Sequence, residues 1–264
     1  MNFDLHFEIK KIILATKKLT KSFSVNQPNS KYSLDLIINE ILYFLKSGVS
    51  WRMLRSTVNW KTLFWHYSRF VKCKVFFKLF MKIRNVYINK YIHHNNCTLL
   101  IDSTTIYNKN GQNKIGRNKF YKNKQVTKIS LMTDINGFPL SILFMKGNYH
   151  DNDVFDKHIR DSNLLLPKNK KKIMADKAYA ANKNYVLLES NNMTHIIPPR
   201  KNMLLYTDYK YDKNEYAKRI KIEQIFSRLK AYKRINLRYD KYIRNYSGFV
   251  FIAFSIIGIH IMKK

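Results

Sequence analysis

The stretch KISLMTDINGFPLSILFM, residues 128–145, decides the fold class. Its two apolar runs, KISLMTD and FPLSILFM, each have the length of a strand, and Ile135-Asn136-Gly137 stands between them. Asn-Gly tolerates the positive backbone angles that a tight turn between antiparallel strands demands, so the stretch predicts a hairpin. Asp134, which closes the first run, is explained by the turn itself, because an Asp side chain bonds the backbone two residues on.

Outward from the hairpin, TLLIDST (98–104) reads as a short buried strand, KKIMAD (171–176) as another, and HIIPP (195–199) as a last one stopped by its prolines. Helical periods cover Asp153 to Leu165, Asn184 to Ser190, and Glu215 to about Tyr232 as one long helix. Three strands with a hairpin followed by helix and strand in alternation predict an α/β core on a mixed sheet with flanking helices. The apolar run Gly248 to Met262 falls short of the roughly twenty residues that span a membrane, and it is read as a buried terminal helix.

Upstream, Leu34, Leu36, Ile37, Ile41, Leu42 and Leu45 recur at helical spacing before Gly48. WRMLRS and then WKTLFWHYSRFVK follow, separated by Thr57 to Asn59. Short helix, break, longer aromatic and basic helix outlines a helix-turn-helix, with a plain three-helix bundle as the alternative. Two domains are expected, a helical DNA-binding domain over 1–92 and an α/β domain over 93–264.

Lys and Arg number 49 against 17 Asp and Glu, a net charge of +32. Such a surface attracts a polyanion, nucleic acid first and an anionic membrane second, although an AT-rich genome also inflates Lys. Cys73 and Cys97 are too few for a disulfide scaffold or a zinc motif, and the first eighteen residues lack a signal peptide's apolar core. The expected location is intracellular, with the DNA.

Asp102 closes the run Leu99-Leu100-Ile101, and Asp176 closes Ile173-Met174-Ala175. Acids at the ends of buried strands sit on a sheet rim, and two of them side by side repel unless a cation lies between. Carboxylate oxygens suit a hard divalent ion, Mg²⁺ or Mn²⁺. On the helix from Glu215, Tyr216, Arg219, Glu223, Ser227 and Lys230 share a stripe beside the apolar Ile222, Ile225, Phe226 and Leu229. That stripe can offer one metal-binding carboxylate flanked by cations that grip phosphates; an intrahelical Arg219–Glu223 pair is the simpler reading.

Tyr216, Arg219, Glu223 and Lys230 reproduce the Tyr-x2-Arg-x3-Glu-x6-Lys signature of insertion-sequence transposases with an Asp-Asp-Glu triad. Asp176-Lys177-Ala178-Tyr179 resembles their Asp-x-Gly-Tyr, with Ala178 in place of Gly. IDST at 101–104, GRNK, TKISLMTDINGFPL and GNYHD stand in the order found in these proteins, and Gly48, Trp51, Arg52 and Leu54 resemble the Gly-x-x-Trp-Arg-x-Leu of their helical domain.

The resemblance implies a ribonuclease H-like catalytic domain, two Mg²⁺ or Mn²⁺ ions on Asp102, Asp176 and Glu223, and strand cleavage and transfer at terminal inverted repeats. It implies double-stranded DNA as partner, both element ends and target, and a homodimer when the ends are paired. Tyr216, Arg219 and Lys230 would grip phosphates, Arg117, Lys119, Lys122 and Lys128 would line the DNA path, and Arg52 and Lys61 would bind DNA from the helical domain. His150 and Asp151 would support the site from behind, unless Asp151 only caps a helix. Two other readings share these residues: a silent DNA-binding regulator derived from a transposase, and a ribonuclease H-fold DNA nuclease.

Overall fold

The computed structural model describes residues 31–92, 97–167, 170–200 and 210–263. In chain order the helices are α1 (Leu34–Ser47), α2 (Trp60–Lys72), α3 (Val75–Tyr91), α4 (Phe155–Leu165), α5 (Asn182–Ser190), α6 (Lys213–Ala217), α7 (Ile220–Lys230), α8 (Lys233–Asn236) and α9 (Ile243–Ile261). The strands are β1 (Cys97–Asn108), β2 (Gly116–Asn118), β3 (Lys124–Asp134), β4 (Pro139–Lys146), β5 (Lys171–Ala175), β6 (Thr194–Ile196) and β7 (Leu237–Arg238). They form two compact units: one groups the chain up to Asn85 with Tyr107–Asn113 and everything from Arg228 on, the other holds Val86–Ile106 and Lys114–Ser227.

The second unit carries the sheet, in the order β2-β3-β1-β5-β6 with β4 also on β3. β3 and β4 pair antiparallel around the expected turn, where Gly137 takes φ +85. Asp134 does what a turn residue does, since its Oδ1 accepts from the Asn136 N–H at 3.1 Å and the Phe138 N–H at 2.7 Å. β5 lies parallel to both β1 and β6, and its links to β4 and β6 run through α4 and α5. An antiparallel hairpin joined to parallel strands by helices is the mixed, ribonuclease H-like sheet. Leu99, Leu100, Ile101, Ile173, Met174 and Ala175 are fully buried at its centre.

Two elements differ from the sequence reading. The strand holding Asp102 runs on to Asn108, because Thr104 and Ile106 keep alternating inward and Tyr107–Asn108 pair with β7. The helix expected from Glu215 to Tyr232 is two helices joined at Lys218–Arg219, where Arg219 N–H bonds Tyr216 O and Ile222 N–H bonds Arg219 O, three residues apart instead of four. Lys218 and Arg219 favour helix, so local propensity does not reveal the joint. The Arg219 side chain is held by the sheet.

In the first unit Gly48 closes α1 at φ +69, its N–H on Phe44 O, and an aromatic core follows. Trp51 stacks on Phe44 with centroids 3.9 Å apart, and Tyr67 on Phe249 at 4.2 Å. The terminal run is a core helix, α9, with twelve buried residues among its nineteen; by length and composition alone it could cross a membrane.

Candidate active site

Asp102 and Asp176 are placed by strand register. Ile101 opposite Ala175 is the last pair between β1 and β5, and the two acids are the next residue on each. The rim argument therefore holds through the end of β5, although β1 itself continues. Asp102 Oδ1 accepts from the Ser103 N–H at 2.7 Å, and Asp176 Oδ1 from the Ala178 N–H at 2.5 Å, opening a 3-10 turn over Lys177–Tyr179. Ala178 is not among the residues of positive φ, so that turn needs none of glycine's freedom.

Arg219 joins the third acid to the first. Its guanidinium lies 2.8 Å from Asp102 Oδ2 and 2.5 Å from Glu223 Oε1. The intrahelical pair with Glu223 exists, then, but the same group also reaches the sheet. Burial alone would lower the Arg219 pKa, yet the charges of Asp102, Tyr216 and Glu223 outweigh it and leave it raised. Asp102 moves the other way: burial, with the negative Asp176 nearby, pushes its carboxyl up to about 6 against the pull of Ser103 and Arg219. Tyr216 places its ring 5.7 Å from the Arg219 guanidinium. Lys230, at the end of α7, is half-buried, and burial lowers its amine.

A cleft of about 680 Å³ opens over the two aspartates, lined among others by Ser103, Lys128, His150, Asp151, Lys183 and Arg200. A second hollow of about 270 Å³, bounded by Arg117, Lys119, Lys128 and His150, shares Asn118, Lys128 and His150 with it. Three of the expected path residues thus border connected space; Lys122 is exposed but lines neither hollow. Asp151 is not a helix cap. Its Oδ1 accepts from Ser103 Oγ at 2.5 Å and from Lys128 Nζ at 3.1 Å, tying β1 and β3 to the loop before α4. The His150 N–H donates to Asp153 Oδ2 at 2.9 Å, so Asp153 holds that turn.

Arg52 and Lys61 belong to the first unit, each within 6 Å of the Trp60 ring centroid, at 5.8 and 5.9 Å. Sequence reasoning missed Arg200, whose Nε and Nη2 donate to Lys177 O at 3.1 Å and Ala178 O at 2.6 Å, directly behind Asp176. It follows two prolines and no local pattern marks it. Among the described residues no three His, Cys, Asp or Glu side chains stand close enough to hold one ion. The donor chemistry nonetheless fits a hard cation: all oxygen, two acids adjacent, and two of the three already sharing one positive group.

A mixed sheet that sets two aspartates side by side and brings an Arg-Glu helix to them defines a phosphodiester-processing class of domain. Residues 93–257 match the transposase DDE domain, and the chain belongs to that family. A Brucella ovis protein named as a transposase for insertion sequence element IS6501 is 30% identical over 137 residues, half of this chain and 98% of that one. Among solved structures the chain is similar to the piggyBac transposase in its synaptic complex with hairpin DNA, at 10% identity and TM-score 0.49, covering all of this chain and 67% of that one. It is also similar to the catalytic domain of the Mos1 mariner transposase, at 12% identity and TM-score 0.30, covering 68% and 87%.

Proposed function

We propose that the chain cuts double-stranded DNA at the terminal inverted repeats of an insertion element and joins the ends to target DNA. The observation that carries this reading is the register pair Ile101–Ala175, which delivers Asp102 and Asp176 together, with Arg219 linking Asp102 to Glu223. Asp102, Asp176 and Glu223 are the residues that would hold two Mg²⁺ or Mn²⁺ ions, which when bound activate the attacking oxygen and stabilise the leaving one. Tyr216, Arg219 and Lys230 bind phosphate oxygens near the scissile bond. Lys128, Arg117 and Lys119 carry the strand along the connected hollows, and Asp151 fixes Lys128 and Ser103 in position.

In this reading residues 1–92 bind the element's ends, 93–264 perform the chemistry, and two copies pair the ends inside the cell. Residues 1–30 of that division lie outside the described residues. Each single change Asp102→Ala, Asp176→Ala and Glu223→Ala is expected to leave DNA binding intact and lower Mn²⁺-dependent cleavage of a labelled end duplex by at least about a hundredfold. Asp156→Ala, which removes only the surface pair with Arg160, is the control that keeps full activity. Binding without any cleavage by the unaltered chain would identify a silent regulator. Cleavage without joining would identify a nuclease.

A further inference from the structure

Helix α2 divides cleanly around its axis. At about 100° per residue, Leu63, His66, Tyr67 and Phe70 occupy an arc of about 100°, and all four are buried. Lys61, Phe64, Trp65, Ser68, Arg69 and Lys72 occupy an arc of about 140° on the other side, and none of them is buried. Three of these six are cations and two are large aromatics. Phe64 is 38% exposed and Trp65 52%, with the Arg69 guanidinium 5.2 Å from the Trp65 ring centroid.

An indole half in water is an unfavourable way to finish a helix whose core side is already complete, and such exposed apolar surface marks a contact site. The surrounding charge says what kind of contact. No Asp or Glu occurs between Glu40 and Asp102, a stretch that holds eleven Lys and Arg, so an approaching anion meets no compensating acid from this part of the chain. Aromatic rings between cations at helical spacing match a surface of phosphates and flat bases or sugars.

We infer that the Lys61–Phe64–Trp65–Arg69–Lys72 face of α2 is the surface with which this chain grips duplex DNA, Trp65 lying on base or sugar edges and Lys61, Arg69 and Lys72 on phosphates. This rests on the reading above that the chain is a DNA-processing transposase, and it adds which face touches the duplex. The stacking of Trp51 on Phe44 excludes that indole from the contact and leaves Trp65 as the exposed reporter.

The test uses the full chain in EDTA, so that no cutting intervenes, with a fluorescein-labelled 40-base-pair duplex selected from a random library for tightest binding. Anisotropy should show Trp65→Ala weakening binding about tenfold with an unchanged salt slope. Arg69→Ala or Lys61→Ala should flatten the slope of log K against log salt by about one phosphate each. Because the altered side chains face solvent, circular dichroism melts should coincide with the parent. In a Trp51→Phe, Trp60→Phe chain, duplex should quench the remaining Trp65 emission. Parent-like binding by both Trp65→Ala and Arg69→Ala overturns the inference and leaves the transposase reading standing, whereas a parent chain that binds no duplex removes both. Quenching of Trp65 by phosphatidylglycerol vesicles but not by duplex would also overturn it, and would make the face a membrane contact.

Discussion

Replacing Asp102 by Asn should change the stability of the protein in a way that depends on pH. In the folded chain the Asp102 carboxyl titrates at about 6 against an ordinary 3.8, because burial and the adjacent Asp176 penalise its charge. Two pKa units correspond to about 3 kcal/mol. The sign follows from proton counting. Between pH 4 and 6 the folded state keeps a proton that the unfolded chain releases, so folding gains as pH falls; above pH 6 the whole penalty is present. Asn is neutral throughout and never incurs it. The difference between Asp102→Asn and the parent should therefore shift in favour of the variant by about 2 to 3 kcal/mol between pH 4 and pH 7.5, or about 5 to 10 °C in melting temperature.

The comparison must be between the two proteins and not along one pH series. His158, bonded between Ser130 Oγ and Ser141 Oγ, is pushed down to about 3 by burial and loses stability as pH falls, which opposes the Asp102 effect in either protein and cancels in the difference. Urea unfolding in EDTA followed by circular dichroism measures it. A difference flat with pH, or one favouring the variant more at pH 4, would refute the placement of a strained carboxylate at this rim.

Two further outcomes follow from the same geometry. Arg219→Gln removes the internal cation from Asp102 and Glu223, so Mn²⁺ binding without DNA, read by electron paramagnetic resonance, should tighten about tenfold while DNA joining falls; unchanged Mn²⁺ affinity would mean that the guanidinium does not compete for the acids. Gly137→Ala places a Cβ 2.9 Å from Ile225 Cγ1 at φ +85, and should cost about 2 kcal/mol in chemical denaturation; a cost below about 0.5 kcal/mol would show that the hairpin turn is free of α7.

The hairpin and the rim were legible because each depends on a short pattern. Asn136-Gly137 marks a turn by backbone sterics, and Leu99–Ile101 and Ile173–Ala175 mark buried strands by unbroken apolarity. What failed was set by distant partners. The length of β1 depends on Leu237–Arg238 arriving beside Tyr107–Asn108, and the joint before α7 coincides with Arg219 crossing to Asp102, more than a hundred residues earlier. Asp151 could not be distinguished from a cap because its actual partners, Ser103 and Lys128, lie 48 and 23 residues away. The family signature supplied the acids; only the strand register explains why the first two are neighbours.

The grouping of α9 with α1 and α2 bears on the order of synthesis. Tyr67 leaves the ribosome long before Phe249, the ring on which it stacks, and Gly248 must later fit where a Cβ would meet Tyr67 Oη at 2.7 Å. Until α9 exists, α1 and α2 have no lid over Phe44 and Tyr67, and they wait as sticky, strongly cationic helices beside a sheet domain whose own residues are all translated by Ser227. Growing chains of this protein should therefore depend on chaperones at their N-terminal half, and a premature stop within α9 should yield aggregates in place of a shortened but soluble product.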